Sequence, residues 1–211
     1  MNISPARESI LKKIRKALTQ STPLPFPQSE GNSSVFQPSK QELEVQFAEQ
    51  FTRLQGKFVF CLNQQELAAQ LKHVIAHNKW EKIYCRENVL KRDLAANGFE
   101  DFTHGDVASC DAAITTCEWL VARTGSIVLS AGQQSGRTVS VYTPIHICIA
   151  YTSQLVYDIK DGLQQAKEKY GANLPSLITF ATGPSRTADI EKTLVVGVHG
   201  PKEVYVFLVD Q

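Results

Sequence analysis

Residues 182–201 carry the side chains best suited to chemistry. The run Thr182-Gly183-Pro184-Ser185-Arg186-Thr187-Ala188-Asp189-Ile190-Glu191 is followed closely by Gly197-Val198-His199-Gly200-Pro201. It combines two glycine turns, an arginine, two carboxylates and a histidine. Glycine lets backbone N–H groups approach an anion closely. An arginine fork can grip a carboxylate or phosphate through paired hydrogen bonds. Thr182, Gly183, Ser185, Arg186 and Gly200 are therefore candidate anion-binding residues, and Asp189, Glu191 and His199 are candidates for acid–base work. Each has a structural alternative. Arg186 can pair with Asp189 or Glu191, Ser185 can cap a turn that begins at Arg186, and His199 can pin a turn through a carbonyl.

Two further clusters have the same character. Thr124-Gly125-Ser126 is one. The other is Gln133-Gln134-Ser135-Gly136-Arg137, with Pro144 and His146 one strand later. Thr124, Gly125, Ser126, Gly136 and Arg137 join the candidate ligand-binding set, and all three clusters are expected to converge on one cleft at strand ends. The alternatives are a simple β-turn for Thr124 and Ser126 and a satisfied core position for His146. None of the clusters is a Walker A loop or a dinucleotide fingerprint. His73 and His77 have metal-ligand spacing on a helix but lack a third ligand nearby, so no metal site is expected.

The elements that must position these residues alternate in the first half of the chain. Ser4 to Thr19 forms an amphipathic helix with Ile10, Leu11, Ile14, Ala17 and Leu18 on one face. Ser21 to Pro38 is rich in Pro and Ser and reads as an extended linker. This divides the chain into an appendage, residues 1–38, and a main domain, residues 39–211. In the main domain, Ser39 and Glu42 suggest a capping box before Leu43, Phe47, Phe51 and Leu54. Strands are expected at Phe58–Cys61 and Ile83–Cys85. Between them lies a helix capped by Asn63 and Glu66, and after them a helix from Glu87 to Ala96. The second half reads as strands at 112–115, 126–129, 138–142 and 146–150, then a helix from Ser153 to Tyr170. Strands at 177–180, 194–198 and 204–208 complete the domain. Close strand spacing suggests antiparallel pairs added to a parallel sheet.

Composition narrows the function. The net charge is +1, so neither nucleic acid nor an anionic membrane is an expected partner. No apolar run approaches the roughly 20 residues of a bilayer span. Met1 to Gln20 lacks the apolar core of a secretory leader, and the expected location is the cytoplasm. The five cysteines, Cys61, Cys85, Cys110, Cys117 and Cys148, are widely spaced and include no C-x-x-C, so no cluster or other cofactor is expected in this chain.

Two segments carry a family resemblance. TGPSRTADIEKTLVVGVHGPKEVYVFLVD resembles the C-terminal signature of the lactate-utilisation protein C family, the LUD domain. ARTGSIVLSAGQQSGRTVSVYTPIHICIAYTSQLV resembles the middle of the same domain. The resemblance implies a three-layer α/β/α domain with a mixed sheet, like the ribose-5-phosphate isomerase, glucosamine-6-phosphate deaminase and CoA-transferase superfamily. It also implies work beside iron–sulfur partner proteins that oxidise L-lactate to pyruvate. It brings no catalytic residues with it. Three readings stand: a cluster-free subunit that binds a small anion or its partners, a stand-alone enzyme acting on a phosphorylated, CoA-linked or folate-type substrate, or a regulatory or assembly module that uses the N-terminal helix as its handle. The residues leave open whether this chain itself turns over a substrate.

Overall fold

The computed structural model describes residues 5–19, 39, 41–103, 105–188 and 194–211. The chain divides into two compact units, Met1–Pro38 and Ser39–Gln211. In the first, helix α1 (Pro5–Leu18) leaves Ile10, Ile14 and Leu18 exposed along one face. Glu8 lies in its first turn and Arg15 and Lys16 in its last, which suits the helix dipole.

The second unit runs α2 (Leu43–Arg53), β1 (Lys57–Cys61), α3 (Gln64–Asn78), β2 (Ile83–Cys85), α4 (Asn88–Ala96), β3 (Ala112–Thr116), β4 (Trp119–Val121) and β5 (Ser126–Ser130). It continues α5 (Val139–Tyr142), β6 (Ile145–Tyr151), β7 (Leu155–Val156), α6 (Ile159–Tyr170), β8 (Ile178–Ala181), β9 (Arg186–Ala188), β10 (Leu194–Val196) and β11 (Glu203–Val209).

Five strands form one sheet in the order β1-β11-β6-β3-β2, with every neighbouring pair parallel. Parallel strands are buried on both faces and so need apolar residues at successive positions. Val204 to Val209 of β11 and Ile147 to Ala150 of β6 meet that need, and all are buried. On one face, Leu67, Leu71 and Ile75 of α3 and Leu90 and Leu94 of α4 pack on Ile114, Ile147 and Phe207. On the other, Phe47 and Phe51 of α2 and Ile127 and Leu129 of β5 pack on Cys148, Ala150, Val206 and Leu208. A second sheet, β7-β4-β5-β8, supplies this cover, and α6 closes its far side through Ala166 and Ile159 against Trp119, Val121 and Val128. The result is a mixed three-layer α/β/α architecture.

Several local expectations are corrected. The antiparallel pairs, β4 with β5 and β5 with β8, build a sheet of their own rather than extending the parallel one. Residues 139–142 form a single helical turn, not a strand, with the Val141 and Tyr142 amides donating to the Thr138 carbonyl. Only Val139 of that turn is buried, so β-branched composition does not decide its conformation. The last helix begins at Ile159, because Leu155 and Val156 pair with Leu120 and Val121 of β4. Asp158 caps it: its carboxylate accepts from the Lys160 amide at 3.2 Å, and Asp161 accepts from the Asp158 amide at 2.9 Å. The Ser39–Glu42 capping box does not form; Glu42 is the N-cap without a side-chain bond, and Ser39 turns to the Gln46 side chain. At α3 the expected cap is present, with Asn63 accepting from the Glu66 amide at 2.9 Å and Glu66 from the Leu62 amide at 2.8 Å.

Candidate functional site

The two glycine turns of residues 182–201 lie side by side. The first joins β8 to β9, and the second joins β10 to β11. Gly183 has φ +79° and Gly197 φ +80°, a region that favours glycine. The Ser185 amide donates to the Pro201 carbonyl at 2.9 Å, and the Gly197 amide donates to the Ser185 carbonyl at 3.0 Å. A Cβ on Gly200 would stand 2.9 Å from the Ser185 Cβ, so the turns touch. Thr182, Gly183 and Ser185 from the first turn and His199 and Gly200 from the second border a cavity of about 250 Å³. Ser140 of α5 flanks it, and His146 lies at its buried end. A neighbouring cavity of about 330 Å³ shares Val141, His199 and Gly200 with it.

A chain of hydroxyls leads away from this cavity. Thr182 Oγ1 lies 2.8 Å from Ser126 Oγ, which lies 2.7 Å from Thr124 Oγ1. The first and third clusters thus meet. The middle cluster splits. His146 reaches the cavity, while Gln133 and Gln134 brace other loops by accepting from the amides of Ser130 and Asn88. Arg137 is exposed and donates to Ser176 Oγ, and neither it nor Gly136 borders the cavity.

Other candidates occupy structural positions. Ser185 is not a helix cap, because Arg186–Ala188 is a strand paired antiparallel with β10. Arg186 is not among the residues lining the cavity; its Nη2 donates at 2.7 Å to the carbonyl of Leu54, the C-cap of α2. That bond satisfies a helix-end carbonyl. Gly125 has φ +62°, and a Cβ there would lie 2.6 Å from the Phe51 amide nitrogen, so its bare backbone admits α2. Asp189 and Glu191 lie outside the described residues. Among the described residues, no hydrogen bond or ion pair holds the exposed His199 ring.

His146 is 1% exposed, and its Nε2 lies 2.8 Å from Thr115 Oγ1. Burial drives its pKa down from 6.5 to about 4, so the ring is neutral near pH 7.

Two buried carboxylates were not legible as such. Glu118 accepts from Ser130 Oγ and Tyr170 OH, each at 2.5 Å, and from Lys169 Nζ at 2.6 Å. Burial alone would raise its pKa; the bonds from Lys169, Ser130 and Tyr170 outweigh burial and hold it below the usual range. Glu87 accepts from Thr116 Oγ1 at 2.6 Å. Both are engaged by side-chain donors and brace the loops after β2 and β3. The only local signal was a glutamate between Cys117 and the apolar Trp119–Val121.

Among the described residues, no group of three or more His, Cys, Asp or Glu is placed to hold a metal ion. His73 and His77 stack at 6.2 Å on α3. All five cysteines are buried, and burial pushes the Cys61 and Cys85 thiols up to about 11. No helix among the described residues is long and apolar enough to cross a membrane.

A family model described as the LUD domain matches residues 45–209. "Lactate utilization protein C" of Anoxybacillus flavithermus is 31% identical over 193 residues, covering 84% of this chain and 86% of that protein. The protein of the same name from Halalkalibacterium halodurans is 37% identical over 119 residues, 53% of this chain and 52% of that protein. The match thus spans about half the length of that curated relative. The crystal structure of a DUF162 family protein from Deinococcus radiodurans superposes with a TM-score of 0.60 at 18% identity. It covers 82% of this chain and 99% of that one, a likeness of fold.

Proposed function

The chain belongs to the LUD-domain family of lactate utilization C proteins, and on that footing we propose that it is the cluster-free subunit of an iron–sulfur L-lactate oxidation system. In this reading it works in the cytoplasm beside iron–sulfur partner proteins and holds a small anion in the cavity between its two glycine turns. Residues 39–211 form the LUD-type domain, and α1 is an appended handle. The exposed face of Ile10, Ile14 and Leu18 supports a partner-facing role for that helix.

One observation carries the anion reading. Among the described residues, the amides of Gly183, His199 and Gly200 donate to no protein acceptor, yet all three residues border the cavity. Grouped backbone N–H donors favour an anion. The hydroxyls of Ser140, Thr182 and Ser185 add further polar contacts. A volume of about 250 Å³ suits a molecule of a few heavy atoms, such as lactate or pyruvate.

The second reading is a stand-alone enzyme of the CoA-transferase and isomerase superfamily. The adjoining cavity of about 330 Å³ favours it, because the two together exceed what lactate needs. A phosphorylated, CoA-linked or folate-type substrate would use both.

Calorimetry on the full chain with pyruvate, L-lactate and inorganic phosphate tests the site. Gly200→Val places a branched side chain against Ser185, where even a Cβ stands at 2.9 Å. A hydrogen bond to a charged group is worth about 1.5–3 kcal/mol, so loss of one amide contact should weaken binding roughly 10- to 150-fold. Circular dichroism should show the fold retained. Undiminished binding by Gly200→Val, or no binding of any of the three by the wild-type chain, would remove the anion site.

A further inference from the structure

We propose that His146 contacts the bound anion from the buried end of the cavity, its Nδ1–H acting as a neutral donor and Thr115 setting the tautomer. The inference rests on the small-anion reading above. His146 is the second residue of β6 and faces the side of the parallel sheet opposite α3 and α4, as do Cys148 and Ala150. Leu129 and Val204, which line the cavity with it, are apolar and buried. A half-satisfied imidazole among such residues needs a reason.

The two ring nitrogens differ. Nε2 is taken by Thr115 Oγ1 at 2.8 Å. Nδ1 has no partner among the described residues. No fully buried side-chain nitrogen or oxygen among those residues lacks a partner, so the small exposure His146 retains falls at Nδ1. Since His146 borders the cavity, that is the space Nδ1 meets.

Thr115 decides which nitrogen carries the proton. Its side chain is fully buried, and among the described residues its hydroxyl bonds only to His146. If Nε2–H donated to Thr115, the hydroxyl hydrogen would have no acceptor. If the hydroxyl donates to Nε2, the proton sits on Nδ1, where an anion can accept it. The second arrangement leaves every donor paired once the ligand is bound. Burial keeps the ring uncharged, so it offers a hydrogen bond rather than a cation.

The test uses the full-length chain labelled with ¹⁵N, titrated near pH 7 with pyruvate and, separately, inorganic phosphate. Long-range ¹H–¹⁵N spectra should show the Nδ1–H tautomer of His146, with Nδ1 shifting on saturation alongside the Gly200 amide. Thr115→Val should mix the tautomers and weaken pyruvate binding at least fivefold, and Thr115→Ser should restore both. A purely packing role for Thr115 would not move the tautomer ratio. A Gly200 amide that shifts while the His146 ring stays unchanged would overturn the inference and leave the anion site standing. An Nε2–H tautomer would overturn the donor role. If neither amide nor ring responds to either probe, the anion site falls and this inference with it.

Discussion

Gly125→Ala is expected to cost the 39–211 unit about 2–5 kcal/mol, the sum of a left-handed backbone penalty and overpacking. Gly125 sits at φ +62°, which disfavours any side chain. A Cβ there would also stand 2.6 Å from the Phe51 nitrogen and 2.8 Å from the Gln50 carbonyl carbon, both backbone atoms of α2. A helix backbone cannot step aside as a flexible side chain can. Phe47 and Phe51 would have to lift off the parallel sheet. Gly98→Ala is the control: its φ is +90°, but nothing lies within 4 Å of the added Cβ. Urea unfolding of both variants separates backbone strain from steric overlap. Equal losses in the two would show that α2 does not press on Gly125.

The second large effect concerns acid stability. Glu118→Leu leaves the buried Ser130 hydroxyl without its carboxylate acceptor and removes the Tyr170 bond, while the half-exposed Lys169 returns to water, so a loss of about 1–3 kcal/mol is expected near pH 7. The pH profile should show two windows. His146 has a folded pKa of about 4 against an ordinary 6.5, so the unfolded chain takes up its proton first. Its contribution is complete above pH 6.5, falls as the pH drops and levels off near pH 4, a loss of about 3 kcal/mol. Glu118 is depressed below its ordinary 4.5, so its contribution is present above that value and is lost as pH falls through the lower folded pKa. Stability measured from pH 7 to pH 2 should therefore flatten in the upper window for His146→Gln and in the lower window for Glu118→Gln. A His146→Gln profile parallel to wild type between pH 6.5 and 4 would mean that the imidazole is not held neutral.

What could be read from the sequence was local. Leu67, Leu71 and Ile75, spaced on one helical face, identified α3, and Asn63 with Glu66 marked its start. The apolar runs of β6 and β11 identified buried strands. Pairing between distant strands has no local signature, so the separate sheet of β4, β5, β7 and β8 was not legible. Glycine was equivocal. Gly183 and Gly200 border the cavity, whereas Gly125 admits a helix, and both uses ask for the same missing side chain. Arg186 and Arg137 suited an anion by type, but their partners, Leu54 and Ser176, come from elsewhere in the chain. Glu118 gave no hint of Lys169 and Tyr170, which arrive from α6. His146 read as a core histidine; only the fold sets Thr115 on one nitrogen and a cavity beside the ring.

Purification of the full-length chain from its own host, grown on L-lactate, with iron and protein stoichiometry measured on the purified material, decides whether it is a subunit of an iron–sulfur lactate oxidation system. Iron–sulfur proteins should accompany the chain in fixed proportion, the assembly should oxidise L-lactate to pyruvate, and the chain separated from them should carry no iron. A chain that purifies alone from such cells, or that retains stoichiometric iron after separation, would contradict that assignment.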